Sequence, residues 1–193
     1  MMMSSFSLGE LAHAISAVVQ QNGIDSAALK NLIAKNINTD TRNIQQGDIF
    51  LALRGENFDG HDYLQQAQKK GATAAIVDET YFKGLLSEEA AQTVSSLPLL
   101  VVTDTLQALG QASLWNRQKF TGTLVAITGS AGKTSVKSMV AHILTLLGEC
   151  WSTPGNFNNH IGAPLTLLGL EPQHNVAVIE LGASSAGEIA YTS

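Results

Sequence analysis

Residues 124–148, LVAITGSAGKTSVKSMVAHILTLLG, restrict the fold more than any other part of the chain. A β-branched apolar run leads into a loop with glycines at positions 129 and 132, and a helix-forming stretch follows at once. Strand, glycine loop and helix in that order form the unit that cradles phosphate in parallel α/β sheets. Glycine lets the backbone approach phosphate oxygens with no Cβ in the way. The loop N–H groups and the helix N-terminus then point at negative charge. On this basis Gly129, Ser130, Ala131, Gly132, Lys133, Thr134 and Ser135 are the candidate ATP-binding residues. Lys133, reaching the β/γ-phosphates, is the candidate catalytic residue, and the Thr134 hydroxyl is a candidate Mg²⁺ ligand. The loop is shorter than G-x-x-x-x-G-K-[ST], because the position five before Gly132 is Ile127. A helix start that happens to contain Gly-Lys-Thr is the bland alternative, and the flanking strand and helix weigh against it.

A metal needs a second anionic ligand. NVAVIE (175–180) is apolar until Glu180, at the carboxyl end of an expected strand, where ligands collect in open α/β sheets. Glu180 therefore reads as the second Mg²⁺ carboxylate, against the alternative of an acid solvated at a strand tip. Between these segments, STPGNFNNHIGAPLTLL (152–168) gathers Asn156, Asn158 and Asn159 with two glycines ahead of an apolar helix. Amides there suit phosphate or substrate, but asparagine–glycine clusters also simply make turns. His160 reads as a solvated loop histidine. Val136, Met139, Val140, Ile143, Leu144 and Leu147 make one apolar stripe on the helix after the loop, closed by Gly148.

Upstream, Leu8, Leu11, Ala12, Ile15, Val18 and Val19 recur at helical spacing and predict a helix stopped by Gly23. DIFLAL (48–53), TAAIVDE (73–79) and LPLLVVT (97–103) read as strands, with a short helix over 61–71. That alternation implies a small α/β domain with a largely parallel sheet. A helix is expected over 105–119, N-capped by Asp104. The predicted organisation is a first domain at 1–104, a connecting helix at 105–121, and a second domain at 122–193. The second domain has only three expected strands, and GEIAYTS (187–193) reads as the start of a further helix. It looks cut off at its C-terminal side, so the chain alone is expected to be inactive.

Composition narrows the partners. Of 193 residues 45% are hydrophobic and 14% charged, enough apolar material for a real core. A formal net charge of −5 argues against general binding to nucleic acid or a membrane surface. Cys150 is the single cysteine, which excludes an internal disulfide and a thiolate zinc cluster. No leader-like start or membrane-length apolar run is evident, so a cytoplasmic protein is expected.

ITGSAGKTSVK (127–137), GNFNNHIGAPLTLL (155–168) and VIELGASSAGEIA (178–190) resemble the central-domain signatures of the Mur ligase family of cell-wall amide-forming enzymes. That family carries the shortened G-[ST]-x-G-K-[ST] loop. TDTRNIQQGDIFLALRGENFDGHDYLQQAQKKGATAAIV (39–77) resembles its UDP-sugar-binding domain, so the likeness runs over roughly residues 8 to 192. The resemblance implies an α/β fold: a small N-terminal UDP-substrate domain, then the start of a P-loop-type parallel-sheet ATPase domain. NNHIGAP (158–164) points to the member that adds D-Ala-D-Ala to UDP-N-acetylmuramoyl-tripeptide, using ATP and Mg²⁺ and passing through an acyl phosphate. By the same resemblance Asn158 and Asn159 lie beside the phosphates and the muramoyl substrate. Thr41, Arg42 and the GENFDGH turn ending at His61 face the uridine diphosphate. A monomer is expected. The rival functions are a diaminopimelate- or lysine-adding relative, a folate polyglutamate synthase, and a nucleotide-binding module without catalysis.

Overall fold

The computed structural model describes residues 5–20, 26–85 and 96–182. They divide into two compact units, 5–108 and 109 onward. The first unit opens with β1 (Phe6–Ser7), α1 (Leu8–Ala14), β2 (Val18–Gln20), α2 (Ser26–Lys30), β3 (Ile33–Ala34) and β4 (Asn36–Asn38). It continues with β5 (Asp48–Leu51), α3 (Leu64–Lys69), β6 (Ala74–Asp78), α4 (Glu79–Leu85) and β7 (Leu99–Val102). Helix α5 (Thr105–Lys119) carries the division between the units. Asp104 caps it, accepting from the N–H groups of Leu106 and Gln107 at 2.7 and 3.0 Å.

The main sheet of this unit runs β2-β7-β6-β5-β4, with β4 to β7 parallel and β2 antiparallel on the β7 edge. Strands β5, β6 and β7 are buried at every position, which is why their sequences read as unbroken apolar runs rather than alternations. Phe50, Ala75, Val77, Leu99 and Val101 pack with Leu64 and Ala67 of α3, and Tyr81 and Phe82 of α4 close over them.

Helix α1 is shorter than its periodicity predicts. Ser7 and Glu10 form a reciprocal capping box at its start. The helix ends at Ala14, Ser16 adopts φ +53°, and Val18 to Gln20 then pair with Leu99 to Val101. The two valines fit helical spacing and strand alternation equally well. The sheet decides, burying Val19 on β7 and leaving Val18 exposed. Gly23, the expected stop, lies outside the described residues.

The second unit contains β8 (Thr123–Ile127), α6 (Lys133–Leu144), β9 (Cys150–Ser152), α7 (Gly162–Leu168) and β10 (Val176–Glu180). Its three described strands are all parallel, in the order β8-β10-β9, so the chain crosses to β9 and returns to place β10 between them. Ala177 and Ile179 of β10 pack with Phe120, Ala163, Leu167 and Leu170. The apolar stripe on α6 is present but uncovered among the described residues: Val136, Met139, Ile143 and Leu147 are exposed. The α6 residue that is buried is Lys137. The segment 187–193, read as a new helix, lies outside the described residues.

Asn116 of α5 ties the C-terminal end of α7 down. Its side-chain amide donates to the carbonyls of Leu167, Leu168 and Leu170 at 2.9, 3.3 and 3.0 Å, and it is buried. Leu168 is the last residue of α7, and its carbonyl is one that a helix end leaves without an intrahelical partner. Asn116→Ala is expected to cost about 1–3 kcal/mol, the penalty for buried carbonyls left unsatisfied. Urea unfolding followed at the second unit checks this, and a loss well below that range contradicts the capping role.

Candidate functional site

The ladder between β8 and β10 fixes the chemistry of the second unit. Its register sets Ile127 opposite Glu180, and the Leu181 N–H continues the ladder to the Ile127 carbonyl at 2.9 Å. The phosphate-type loop leaves β8 at that point, so the last residue of β10 stands beside the loop and the first turn of α6. Gly129 and Gly132 take φ of +149° and +75°, conformations that favour glycine, and nothing lies within 4 Å of where a Cβ on Gly132 would sit. Lys133 Nζ folds back onto the Gly129 carbonyl at 2.7 Å. Ser130, Ala131 and Ser135 are exposed around the same turn.

Glu180 is not a solvated acid. It is 1% exposed, and one carboxylate oxygen, Oε1, accepts from the Thr134 hydroxyl at 3.0 Å and from the Asn158 amide at 2.7 Å. The other oxygen, Oε2, is buried without a hydrogen-bond partner. A buried carboxylate keeps an empty acceptor only at substantial cost, and a hard cation is the group that such an oxygen and a neighbouring hydroxyl suit. Thr134 and Glu180 therefore fit Mg²⁺. Among the described residues no three acidic, histidine or cysteine side chains cluster as a metal site by themselves. A cation here would have to complete its shell with oxygens from water or a ligand.

The two asparagines part company. Asn158 reaches Glu180, and its carbonyl accepts from the Gly182 N–H at 2.7 Å. Asn159 turns its side-chain oxygen to the N–H groups of Ile161 and Gly162 at 3.2 and 2.7 Å, which starts α7. His160 is exposed.

In the first unit a cleft of about 520 Å³ is lined by Thr39, Asp40, Thr41, Arg42, Phe50, Phe58, Gly60, Tyr63 and Gln66. Thr41 is buried and donates to Gln66 Oε1 at 3.2 Å. Arg42 is exposed and held by Asp40 through Nε and Nη2 at 3.0 and 2.7 Å, and this contact lowers the Asp40 pKa. His61 does not face the cleft as a ligand would. Its side chain is 1% exposed: Nδ1 meets Asp59 Oδ1 at 2.5 Å, Nε2 accepts the Asp78 N–H at 3.2 Å, and the ring stacks on Tyr81. Because Nε2 accepts a backbone proton, the ring carries its own on Nδ1. Histidine here fastens the 55–61 turn to the end of β6. Gly60 completes the fastening, since a Cβ there would sit 2.6 Å from the Leu53 carbonyl oxygen.

Residue-by-residue reading missed Lys137, Thr153, Asp59 and Asp78. Lys137 had one signal, its placement three residues after Thr134 and hence on the same helix face. Asp78 and Thr153 had none, because His61 and Arg54 lie 17 and 24 positions from Asp78 and Glu180 lies 27 from Thr153. Asp59 sits two residues from His61, within the turn read as facing a ligand.

Comparison with known proteins bears on both units. The Mur ligase family, catalytic domain, matches residues 34–113, and the Mur ligase middle domain matches residues 127–193. The Escherichia coli K12 UDP-N-acetylmuramoyl-tripeptide–D-alanyl-D-alanine ligase is 46% identical over 156 residues, 81% of this chain and 32% of that protein. This chain belongs to the Mur ligase family. Among solved structures, the Acinetobacter baumannii Mur ligase that adds D-alanyl-D-alanine superposes with a TM-score of 0.80 at 36% identity. That match covers 98% of this chain and 39% of the other. The Thermotoga maritima MurF ligase in complex with ADP gives 0.67 at 31% identity, covering 81% of this chain and 34% of its own. The chain spans about a third of the length of the Mur ligases it matches.

The arginine network of the first unit makes a pH prediction. Burial pushes the Asp59 and Asp78 pKa values up. Hydrogen bonds from His61 to Asp59, and from Arg54 and the Tyr81 N–H to Asp78, outweigh it, and both values end up lowered. Arg54 bonds Asp78 at 2.7 Å and pairs with Asp59 at 2.7 Å. Carboxylates with lowered folded-state pKa stabilise the fold above the ordinary carboxylate range and lose that contribution as pH falls through the folded values. Arg54 is half exposed, so solvent screening limits its share. Arg54→Met is expected to destabilise the unit by about 1 kcal/mol at pH 7 and to shift acid unfolding to higher pH. The difference should vanish once both acids are protonated. Unfolding curves taken from pH 7 down through the acid transition test it, and equal stability at pH 7 contradicts the network's role.

Proposed function

We propose that this chain carries the UDP-substrate unit and the ATP-binding part of a ligase that joins D-Ala-D-Ala to UDP-N-acetylmuramoyl-tripeptide. The observation that carries the proposal is the buried Glu180, placed by the β8–β10 register against Thr134 at the mouth of the glycine loop. The names and identities of the relatives support the choice of substrates.

In the first step a substrate carboxylate oxygen attacks the γ-phosphorus of ATP, ADP departs, and an acyl phosphate forms. In the second the amine of D-Ala-D-Ala attacks the acyl carbon, inorganic phosphate leaves, and the amine gives up a proton. The first step brings two anions together, so its barrier falls with preorganised positive charge. The loop N–H groups from Gly129 to Ser135 and the N-terminus of α6 receive the phosphates, and Lys133, released from the Gly129 carbonyl, reaches the transferring group. Thr134 and Glu180 would hold Mg²⁺, which when bound draws charge from the phosphate oxygens. Asn158 orients Glu180 beside them.

The cleft of the first unit is the proposed UDP subsite. Phe58 and Tyr63, both well exposed, offer aromatic faces to a base. Thr41 and Arg42 line the same wall, and Arg42 meets a diphosphate by exchanging the Asp40 carboxylate for it. His61 supports this turn from beneath. We further propose a cytoplasmic monomer. No described helix is long and apolar enough to cross a membrane.

Lys133→Ala is expected to weaken ADP binding to this chain by about tenfold or more, with an unchanged melting temperature. Calorimetry decides it, and affinity within twofold of the parent removes Lys133 from the phosphate site. In a ligase of full family length carrying these residues, sustained ADP release over many turnovers should require both UDP-N-acetylmuramoyl-tripeptide and D-Ala-D-Ala. Release supported equally by diaminopimelate or lysine contradicts the choice of substrates.

A further inference from the structure

Lys137 is a lysine where a core residue belongs. Its side chain is 7% exposed, on the face of α6 that packs against β9 and β10. Nζ donates to the Thr153 carbonyl at 2.9 Å and the Gly155 carbonyl at 3.2 Å, and it lies 3.7 Å from Glu180 Oε2. That last separation is too long for a hydrogen bond, so the unpartnered oxygen feels the charge without being occupied by it.

We propose that Lys137 is a positioning residue for the Thr134–Glu180 site: it clamps the 153–158 loop to α6 and supplies the counter-charge that holds the Glu180 carboxylate in place with Oε2 open. Thr153 shows how the clamp is transmitted. Its carbonyl receives Lys137, its hydroxyl accepts the Glu180 N–H at 2.8 Å, and its own N–H donates to the Val178 carbonyl at 3.0 Å. Five residues on, Asn158 donates to Glu180 Oε1 and accepts the Gly182 N–H. The carboxylate is thus held at its backbone through Thr153 and at its side chain through Asn158, and Lys137 ties down the loop that bears both. An ammonium suits the place because it offers three donors from one point charge. Methionine would fill the volume but leave the buried Thr153 carbonyl without this donor and a buried carboxylate without a cation.

This inference rests on the proposed Mg²⁺–nucleotide role of Thr134 and Glu180, so its test has two arms. In the first, ADP binding to the 193-residue chain is measured with and without Mg²⁺. Lys137→Met should reduce the Mg²⁺-dependent gain in ADP affinity by about tenfold, the scale of outer-shell losses at metal sites. Affinity in EDTA should stay within about twofold, since the 129–135 cradle does not depend on Lys137. Lys137→Gln keeps donors for the carbonyls and removes only the charge. It covers the case in which the methionine variant does not fold, and it should lose part of the same gain. A full Mg²⁺ gain in a folded variant overturns the proposal, and so does an equal loss of affinity in EDTA. In the second arm, amide hydrogen exchange without nucleotide should run about tenfold faster over 153–159 in the variant, with the first unit unchanged. Unchanged protection there overturns the clamp. A wild-type chain whose ADP affinity ignores Mg²⁺ contradicts the reading of the metal site itself, while the exchange arm still decides whether Lys137 holds the loop.

Discussion

The register of one parallel strand pair, with Ile127 opposite Glu180, is the constraint on which the second unit depends. Side chains alternate along a strand, so a slip of one residue would turn Glu180 to the other face of the sheet and away from Thr134. The register also buries the carboxylate. Burial gives Glu180 its chemical interest, because an ionisable group so placed needs partners for every oxygen. Thr134 and Asn158 share one oxygen, and the second faces Lys137 without a hydrogen bond. Residues from α6, the 153–158 loop and β10 converge there because β10 is the middle strand of its sheet.

The first unit handles charge differently. Its arginines are already engaged: Arg42 by Asp40, Arg54 by Asp59 and Asp78. The Arg54 cluster, with His61 buried beneath it, fixes the turn that forms one wall of the cleft. Arg42 belongs to the cleft itself and stays exposed. A single solvent-facing pair is weak in water, so Arg42 can trade its carboxylate for a phosphate at small cost, whereas Arg54 is half exposed but shared between two aspartates that the buried His61 also holds.

Much of this was legible in the sequence, for definite reasons. Strands β5, β6, β7 and β10 announce themselves because burial on both faces demands unbroken apolar runs. The glycine loop is legible because its backbone requires glycine at 129 and 132. What sequence could not show is where long-range pairing overrides local pattern. Val18 and Val19 satisfy two periodicities, and only the edge of β7 chooses between them. His61 beside a glycine-rich turn resembles a ligand until Asp59, the Asp78 N–H and the Tyr81 ring occupy it. Glu180 reads as a metal carboxylate at a strand end and Lys137 as a solvent-facing charge, but the burial of each arises only because the other elements arrive around it. The stripe on α6 is the converse case: its pattern is that of a buried face, yet among the described residues it stays exposed.

The central claim is that the β8 loop and Glu180 form one Mg²⁺–nucleotide site, and locating the cation tests it most directly. Crystals of the chain grown with ADP and Mn²⁺ in place of Mg²⁺ would show the metal by its anomalous scattering. The account predicts one Mn²⁺ peak within coordination distance of Thr134 Oγ1 and a Glu180 carboxylate oxygen, with the ADP phosphates over Gly129 to Thr134. A nucleotide bound in that loop with the cation elsewhere, and Glu180 still turned to Thr134 and Asn158 alone, would contradict it.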